Sequence, residues 1–355
     1  MKEKELAIIG CGATGLASAA WFKSQGFSVT LCDTKEQFAE LSELEKQGTI
    51  CLEGALNLTE PIQIDEITTD ISRAILDKQY ILVCCSATRQ KEISSLIAPV
   101  LQNGQAIVFS PGNLGTLYLR QELEVLNQKR TESKRQTEII LAELSGNLWA
   151  CRKAKGTVVV ARPLGVQRIA ACPASDLERA MEVFRPLFPL KPAQNIVEAV
   201  LNSPNMITHL AGTLLNVTEI EKKGEGFALF EDGLSESVIE IFKSLEQERN
   251  AVLSAYGLEL YETEGCQPLM QELMRNNTDE KLLLFKSLKG PSSMKHRYIT
   301  EDAPCGTALL ISMARAAGIK VSIAESLLTL ASTINKTDYY KCGRTLDSMG
   351  LLKNI

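Results

Sequence analysis

Three closely spaced glycines near the start of the chain constrain its fold more than any other feature. The stretch GCGATG places Gly10, Gly12 and Gly15 in G-x-G-x-x-G spacing directly after the apolar run ELAII. Between a strand and a helix, such glycines permit a tight turn, close approach of the backbone to a pyrophosphate, and close packing of the helix on the strand. The motif predicts a dinucleotide site, although an ordinary glycine turn is the alternative because the pattern alone has little specificity.

An acidic residue closes the second strand-like run, FSVTLCD. Asp33 stands 23 residues after Gly10 (33 minus 10), where a carboxylate accepts hydrogen bonds from the adenosine ribose and repels a 2′-phosphate. We therefore expect NAD as the cofactor, while Lys35 keeps NADP as the weaker alternative. The cofactor contacts predicted from this first region are Gly10, Gly12, Ala13, Thr14, Gly15 and Asp33.

Two later turns stand where further cofactor contacts are expected. CCSATRQ and FSPGNLGT each follow an apolar strand, and ligands of parallel sheets bind at the carboxyl ends of strands. Plain loop chemistry is the competing interpretation for any single residue in them. The predicted contacts are Ser86, Ala87, Pro111 and Gly112.

Alternation of short apolar strands with helical segments predicts the fold class of the first half. ELAIIG, FSVTLCD, YILVCC and AIVFS are separated by helical patterns, which favours a parallel sheet covered on both faces. One of these helices is expected over EQFAELSELEKQG. From about Ile196 the sequence is helical in character. We predict an α/β chain with a Rossmann-type doubly wound sheet over residues 1–192 and a mainly α-helical substrate and catalytic domain over residues 193–355.

Composition excludes several classes of partner. The 355 residues carry a formal net charge of −5, so nucleic acid and anionic membranes are not expected to bind. The N-terminus has no signal-peptide pattern, and no apolar run reaches the roughly 18 residues of a spanning helix. Ten scattered cysteines without a CxxC pair predict reduced thiols in the cytoplasm and no bound metal.

A histidine lies in a segment that otherwise reads as a buried helix. LNSPNMITHLAGTLLN contains one of only two histidines, and in an α-helix Asn205, Thr208, His209 and Gly212 would share one face. A lone histidine of this kind is more often a hydrogen-bonded core residue than a catalyst. A group that orients it would favour the catalytic interpretation.

A second polar segment precedes a predicted helix. In KHRYITEDAPCGTALLISMARAAGI, Glu301 and Asp302 come just before a proline and a helix that is expected to end at Gly318. The two carboxylates could simply favour the positive N-terminal end of that helix.

Four stretches together resemble the opine dehydrogenases, the octopine/nopaline dehydrogenase family. They are GCGATGLASAAWF, LNSPNMITHLAGTLLN, RYITEDAPCGTALL and CGRTLDSMGL, and they run in order across nearly the whole chain. The resemblance implies a catalytic dyad of His209 and Asp302, and substrate binding by Arg297. It also implies that an amino acid or related amine and a 2-oxo acid such as pyruvate condense and are reduced by a nicotinamide cofactor.

Further site residues follow from the same resemblance. Asn205 is expected to bind the substrate carboxylate or the cofactor amide, with simple helix packing as the alternative. Thr208 and Cys151 are expected at the substrate and Glu143 at the cofactor.

The chemistry explains the residue types. An imidazole has an ordinary pKa of about 6.5, near neutrality, and a carboxylate bonded to its other nitrogen would fix the tautomer and raise that pKa. The arginine fork matches a carboxylate, although Arg297 in a plain ion pair is the alternative.

Three other functions remain open on the sequence. The chain could be a two-domain 2-hydroxy acid or keto acid reductase, but several such enzymes use a lysine where this chain has His209. It could be a non-catalytic NAD-binding sensor, or a member that builds metal-chelating opines. A homodimer is possible, and the sequence does not identify the amine, the oxo acid or the physiological direction.

Overall fold

The computed structural model describes residues 4–37, 44, 46–56, 58, 60–128, 138–154, 156–261, 266–275 and 278–351. Two compact units make up the chain, Met1–Ala199 and Val200–Ile355. The predicted boundary between residues 192 and 193 lies seven residues before this division (199 minus 192).

The first unit contains all thirteen strands found in the described residues. They are β1 (Lys4–Ile9), β2 (Phe27–Cys32), β3 (Thr49–Ile50), β4 (Leu52–Gly54), β5 (Ile62–Gln63), β6 (Glu66–Thr68), β7 (Tyr80–Val83), β8 (Ala106–Phe109), β9 (Ile140–Leu144), β10 (Cys151–Ala154), β11 (Thr157–Val160), β12 (Gln167–Ala171) and β13 (Leu190–Pro192). Eight form the central sheet in the order β13-β12-β9-β8-β7-β1-β2-β6, while β10-β11-β4 and β3-β5 form two small sheets.

The central sheet is parallel except where β12 runs antiparallel to β9. Its middle strands β1, β7 and β8 are nearly continuous apolar runs with buried residues, as expected for strands that are covered on both faces. The predicted α/β fold class with a mostly parallel sheet is confirmed. Because β1 lies between β2 and β7, the turns after these three strands meet at one edge of the sheet.

Helices pack around this sheet. Those in the first unit are Ala13–Ser24, Ile71–Ile75, Gln90–Ile97, Gly115–Gln128 and Leu177–Phe184, and the helix Ile196–Leu201 runs across the division between the units. The helix predicted over EQFAELSELEKQG falls largely on residues 38–43 and 45, which lie outside the described residues; Lys35–Gln37 form a short 3-10 turn.

The second unit is helical, as the sequence predicts. Its longest helix, Glu236–Ala255, begins after Ser235, whose Oγ accepts a hydrogen bond from the Val238 amide, and it buries Ile239 and Phe242 in the unit's core. The other helices are Gly212–Leu214, Val217–Lys223, Leu229–Asp232, Cys266–Met274, Glu280–Lys286, Arg297–Thr300, Ala308–Ala316 and Ser322–Asn335.

Two segments of this unit are π-helical. The α-helix predicted through His209 is therefore wrong in the type of helix. The segments are Met206–Ala211 and Ala303–Thr307, each running directly into an α-helix. Apolar periodicity does not separate the two helix types, because a single wide turn inserts one residue without changing which residue types are buried. The helix after Pro304 ends at Ala316, two residues before the predicted Gly318.

No helix among the residues that the structure describes is long and apolar enough to cross a membrane.

Candidate active site

The imidazole of His209 is hydrogen-bonded to the carboxylate of Asp302. His209 Nδ1 lies 3.0 Å from Asp302 Oδ2, although 93 residues separate the two in sequence. Both side chains are only 9% exposed. When the carboxylate is ionised it can only accept a hydrogen bond, so Nδ1 then carries the proton and the tautomer is set. The arrangement supplies the orienting group that a catalytic histidine requires.

An aromatic ring packs against the face of the His209 imidazole. The ring of Tyr298 stacks on His209 with centroids 3.5 Å apart and planes inclined by 10°. His296 in turn packs edge to face on Tyr298, with 4.6 Å between the ring centroids. His209 is therefore fixed in its plane by Asp302 and perpendicular to that plane by Tyr298.

The two π-helical segments bring the dyad together. His209 lies within Met206–Ala211, and Asp302 immediately precedes Ala303–Thr307. At Gly306 an added Cβ would stand 3.0 Å from the Cβ of Met206, so the absence of a side chain permits the close approach of the two segments. Wide helical turns of this type are frequent at functional sites because they re-aim a side chain without ending the helix.

The C-terminal stretch CGRTLDSMGL supports the Asp302 side of the dyad. An added Cβ at Gly343 would lie 2.5 Å from the Cβ of Ala308 and 2.9 Å from the carbonyl oxygen of Pro304. The Arg344 amide donates to the Pro304 carbonyl at 2.8 Å. This stretch, which the sequence offers only as part of a resemblance, thus packs directly on the segment that follows Asp302.

Burial dominates the acidity of Asp302. Removal from water raises the pKa of its carboxyl to about 7, against the opposing positive charge of Arg297. Because this carboxyl is hydrogen-bonded to the imidazole of His209, the two groups share protons as a pair, and the titration belongs to the dyad.

Arg297 lies beside the dyad on the short helix Arg297–Thr300. Its guanidinium stands 5.2 Å from the centre of the Tyr298 ring, and its Nη1 lies 3.7 Å from Glu301 Oε2. The side chain is 35% exposed, whereas that of Glu301 is buried at 5%. This position suits a side chain that pairs with a substrate carboxylate next to His209. The ion pair with Glu301, which the sequence left as the alternative interpretation, is also present.

The first unit carries the glycine turn in the predicted geometry. Gly10 has a φ of +116°, and an added Cβ at Gly15 would lie 1.8 Å from the Gly10 carbonyl oxygen, so no side chain fits there. Gly12 is exposed, and nothing lies within 4 Å of where its Cβ would stand. The N-terminus of the helix Ala13–Ser24 therefore opens on free space, with Ala13 and Thr14 half-buried beside it.

These features fit a dinucleotide. An open helix N-terminus with a glycine that admits close backbone approach is the arrangement that binds a pyrophosphate. Asp33, at the carboxyl end of β2, lies next to the turn, because its Oδ2 accepts a hydrogen bond from the Cys11 amide at 2.8 Å.

The turns after β7 and β8 are tied to each other. Gln90 is fully buried, and its Nε2 donates to the carbonyl oxygens of Pro111 at 2.8 Å and Gly112 at 3.0 Å. Ser86 is half-buried and Ala87 buried at the start of the first turn. The structure thus places the predicted residues of both turns at the carboxyl edge of the sheet.

Among the described residues, no group of three or more histidine, cysteine, aspartate or glutamate side chains is placed to hold a metal ion.

Comparison with known proteins tests the family resemblance. Residues 192–335 match the family described as NAD/NADP octopine/nopaline dehydrogenase, alpha-helical domain, and residues 4–72 match the one described as Mur ligase MurD-like, N-terminal domain. Opine dehydrogenase from Arthrobacter sp. (strain 1C) is 29% identical over 361 residues, which cover 99% of this chain and 96% of that protein. These matches confirm the resemblance to the opine dehydrogenase family.

Solved structures agree with this resemblance in fold. Octopine dehydrogenase with NADH and L-arginine superposes with a TM-score of 0.65 at 16% identity, covering 93% of this chain and 89% of that one. Yersinopine dehydrogenase with NADP⁺ bound also gives a TM-score of 0.65, at 15% identity over 98% and 93% of the two chains. The family resemblance and the oxidoreductase class predicted from the sequence are confirmed.

The structure distributes the remaining predicted substrate residues over both units. Thr208 is buried, and its hydroxyl donates to the Pro204 carbonyl at 3.0 Å, while Asn205 is half-buried one turn before His209. Cys151 belongs to the first unit, where its buried Sγ lies 4.0 Å from Thr14 Oγ1 beside the glycine turn. The substrate roles of these three residues stay predictions.

Glu143 lies beneath the turn that follows β8. It is fully buried at the end of β9, and its carboxylate accepts hydrogen bonds from the Leu114 amide at 3.1 Å and from the Thr116 hydroxyl at 2.8 Å. An added Cβ at Gly112 would lie 2.6 Å from the Glu143 side chain. Glu143 therefore supports the turn after β8 from within the unit, and direct contact with a cofactor stays a prediction.

Sequence reasoning missed three residues of the two sites. Tyr298 follows Arg297 in the quoted RY pair, Arg89 follows Ala87 by two positions, and Gln90 is next to it. An arginine or a buried glutamine in a turn at a strand's carboxyl end is a signal for the last two. No local signal predicts that Tyr298 stacks on a residue 89 positions away (298 minus 209).

Proposed function

We propose that the chain catalyses the NAD(P)H-dependent reductive condensation of an amino acid α-amine, or a related amine, with a 2-oxo acid such as pyruvate, and the reverse reaction. The observation that carries this proposal is the buried 3.0 Å contact between His209 and Asp302 in a chain that resembles the opine dehydrogenase family. The product is an N-(1-carboxyalkyl) amino acid.

The amine nitrogen attacks the oxo carbon, and loss of water leaves a carbon–nitrogen double bond. When bound, the nicotinamide supplies the hydride that adds to the imine carbon. His209 exchanges protons with the substrates through Nε2, because Nδ1 faces Asp302. It protonates the oxygen that departs as water, takes back the proton that the nitrogen loses as the imine forms, and returns a proton to the nitrogen when the hydride adds to carbon. In the reverse direction it removes the proton from the secondary amine.

Asp302 and Tyr298 keep the imidazole in place during both proton transfers. The carboxylate stabilises the imidazolium, and the stacked phenol ring prevents rotation of the imidazole out of its plane. Arg297 binds a substrate carboxylate, for which its planar fork is suited. Asn205 and Thr208 are proposed to contact the substrates from the same π-helical side.

The cofactor is proposed to be held by the first unit. The amides at the start of the helix Ala13–Ser24 bind the pyrophosphate, Gly12 permits its approach, and Asp33 lies at the adenosine ribose. The rest of the cofactor extends along the two turns that contain Ser86, Ala87, Pro111 and Gly112.

The alternatives are less well supported. A hydroxy acid reductase of similar fold needs no amine, and the family that this chain resembles argues against it. A sensor that has lost catalysis would have no use for a buried, stacked and carboxylate-bonded histidine. A member that builds metal-chelating opines would use a bulky polar amine, and activity with such an amine in the test below would show it.

The test is oxidation of NADH and of NADPH, followed at the nicotinamide absorbance, with pyruvate and single amino acids, and with pyruvate alone. Oxidation that requires both substrates is expected. Oxidation with the oxo acid alone would reassign the chain to the hydroxy acid reductases, and cofactor binding without any turnover over a broad amine panel would favour the sensor.

We further propose a cytoplasmic location and a homodimer. Sedimentation of the purified chain at several concentrations tests the dimer, and a single monomer boundary would contradict it.

A further inference from the structure

The carboxylate of Asp33 is already fully engaged by the protein. Oδ2 accepts hydrogen bonds from the Cys11 amide at 2.8 Å and from Cys11 Sγ at 3.2 Å, while Oδ1 accepts from the Thr34 amide and from Arg89 Nη1, both at 2.8 Å. A carboxylate has about four acceptor positions, so each oxygen carries its full complement. A ribose hydroxyl can bond to Asp33 only in place of one of these donors.

Arg89 is the donor that can be exchanged. Two of the donors to Asp33 are backbone amides, and Cys11 is buried, whereas the Arg89 side chain is 21% exposed. Arg89 lies at the end of the 3-10 turn Ala87–Arg89 after β7 and reaches the end of β2 on a flexible stem. Its second nitrogen, Nη2, donates to Thr34 Oγ1 at 2.7 Å.

The pair changes the charge where an adenosine ribose would bind. Asp33 is 4% exposed, so it would repel a 2′-phosphate strongly without a counter-charge. Burial alone would raise the pKa of Asp33, but the hydrogen bonds from Cys11, Thr34 and Arg89 together lower it. The carboxylate is therefore ionised, and Arg89 neutralises it.

Other charges around the pair are more exposed. Glu92 lies 3.6 Å from Arg89 Nε and is 48% exposed, and Glu36 is exposed and hydrogen-bonded to Thr34. Solvent and salt screen both carboxylates, as they screen exposed Lys35. The balance at the ribose position thus depends chiefly on Asp33 and Arg89.

We propose that Arg89 sets the choice between the two nicotinamide cofactors and allows the site to accept both. With NAD, a ribose hydroxyl donates to Asp33 Oδ1 in place of Arg89 Nη1. With NADP, the guanidinium lies between Asp33 and the 2′-phosphate and pairs with both, while Thr34 Oγ1 donates to the phosphate and Lys35 adds charge. This inference rests on the proposed function only in taking a nicotinamide dinucleotide as ligand.

The experiment measures dissociation constants for NADH and NADPH from nicotinamide fluorescence, with no amine or oxo acid present. The unaltered chain is expected to bind both. Arg89→Ala is expected to lose about tenfold to a hundredfold in NADPH affinity, which is the value of a lost charge-assisted contact, and to bind NADH as well as before or better. Asp33→Asn should move the preference in the opposite direction.

The matched control is Arg120→Ala, which removes an exposed arginine from the pair with Glu124, 3.0 Å away in the helix Gly115–Gln128. It should leave the ratio of the two constants unchanged. If Arg89→Ala does not fold, as judged by its thermal transition, Arg89→Gln is measured in its place.

Equal losses for both cofactors in the Arg89 variant, or binding of NADH alone by the unaltered chain, would overturn the proposal. Because binding is measured without substrates, these outcomes are separate from a failure of reductive condensation. A shifted ratio in a chain that turns over no amine would support the role of Arg89 and refute the proposed reaction.

Discussion

The rings of His209 and Tyr298 lie nearly parallel, with centroids 3.5 Å apart and planes inclined by 10°. Stacking at this distance restrains motion of the imidazole perpendicular to its ring plane, which the hydrogen bond to Asp302 does not restrain. It also places an aromatic face against a group that becomes a cation when protonated, a contact that favours the charged form. In the proposed reaction, Tyr298 is therefore a positioning residue.

Two replacements of Tyr298 should distinguish the contribution of its ring from that of its hydroxyl. Tyr298→Ala is expected to lower kcat by about a hundredfold, because misplacement of a catalytic group by roughly 1 Å has effects of that size. Tyr298→Phe keeps the ring and should retain most of the activity. Steady-state kinetics check this, with NADH affinity as the internal control; equal kcat values for the alanine and phenylalanine variants would contradict a role for stacking.

Removal of the imidazole should abolish turnover and leave cofactor binding nearly intact. His209→Ala is expected to reduce kcat by about 10²–10⁴-fold, the usual contribution of a positioned acid or base. NADH affinity should change little, because the proposed cofactor residues belong to the first unit. Loss of NADH binding together with a lower melting temperature would instead make His209 a structural residue.

The dyad predicts opposite pH dependences for the two directions of the reaction. The pKa of Asp302 is raised by burial to about 7, so near neutrality the pair holds one proton and loses it as the pH rises. Reduction uses that proton, so its rate should fall with rising pH; oxidation needs the deprotonated pair, so its rate should rise.

Asp302→Asn tests the assignment of this profile. Without the carboxylate the imidazolium is less favoured, so the break in the reductive profile should move to lower pH by ~1 unit or more. Profiles of kcat/KM in both directions, measured at constant ionic strength, check the shift. An unchanged break would mean that another group titrates.

Close packing of the C-terminal stretch against Pro304 and Ala308 predicts an effect on stability. Gly343→Ala places a Cβ 2.5 Å from the Cβ of Ala308 and 2.6 Å from the Tyr339 carbonyl oxygen, neither of which is a flexible side-chain end. We expect destabilisation by about 1–3 kcal/mol, as for other overpacked sites.

The control for this variant is Gly226→Ala, in the same unit, where nothing lies within 4 Å of the added Cβ. Thermal unfolding of both variants checks the difference, and kcat of the Gly343 variant reports whether Asp302 has moved. Equal melting temperatures for the two variants would show that the backbone around Pro304 yields without cost.

Local features of the sequence determined the first unit, and its motifs singled out the candidate catalytic residues through a family resemblance. The conformations required of Gly10 and Gly15, and the continuous apolar runs of β1, β7 and β8, depend on contacts between near neighbours and on burial of whole strands, so spacing and composition predict them. The residue types of His209, Asp302 and Arg297 are likewise visible without coordinates, because their chemistry belongs to the side chain.

Only the tertiary structure decided how these groups meet. The contact between His209 and Asp302 spans 93 residues, and the π-helical turns, the Tyr298 stacking and the support from Gly343 all depend on packing between distant segments. The same holds for Arg89, which reaches Asp33 across 56 residues and engages the carboxylate that local reasoning assigned to the ribose alone. Such contacts arise from the way separate helices and strands pack, and periodicity within one segment contains no information about its distant partner.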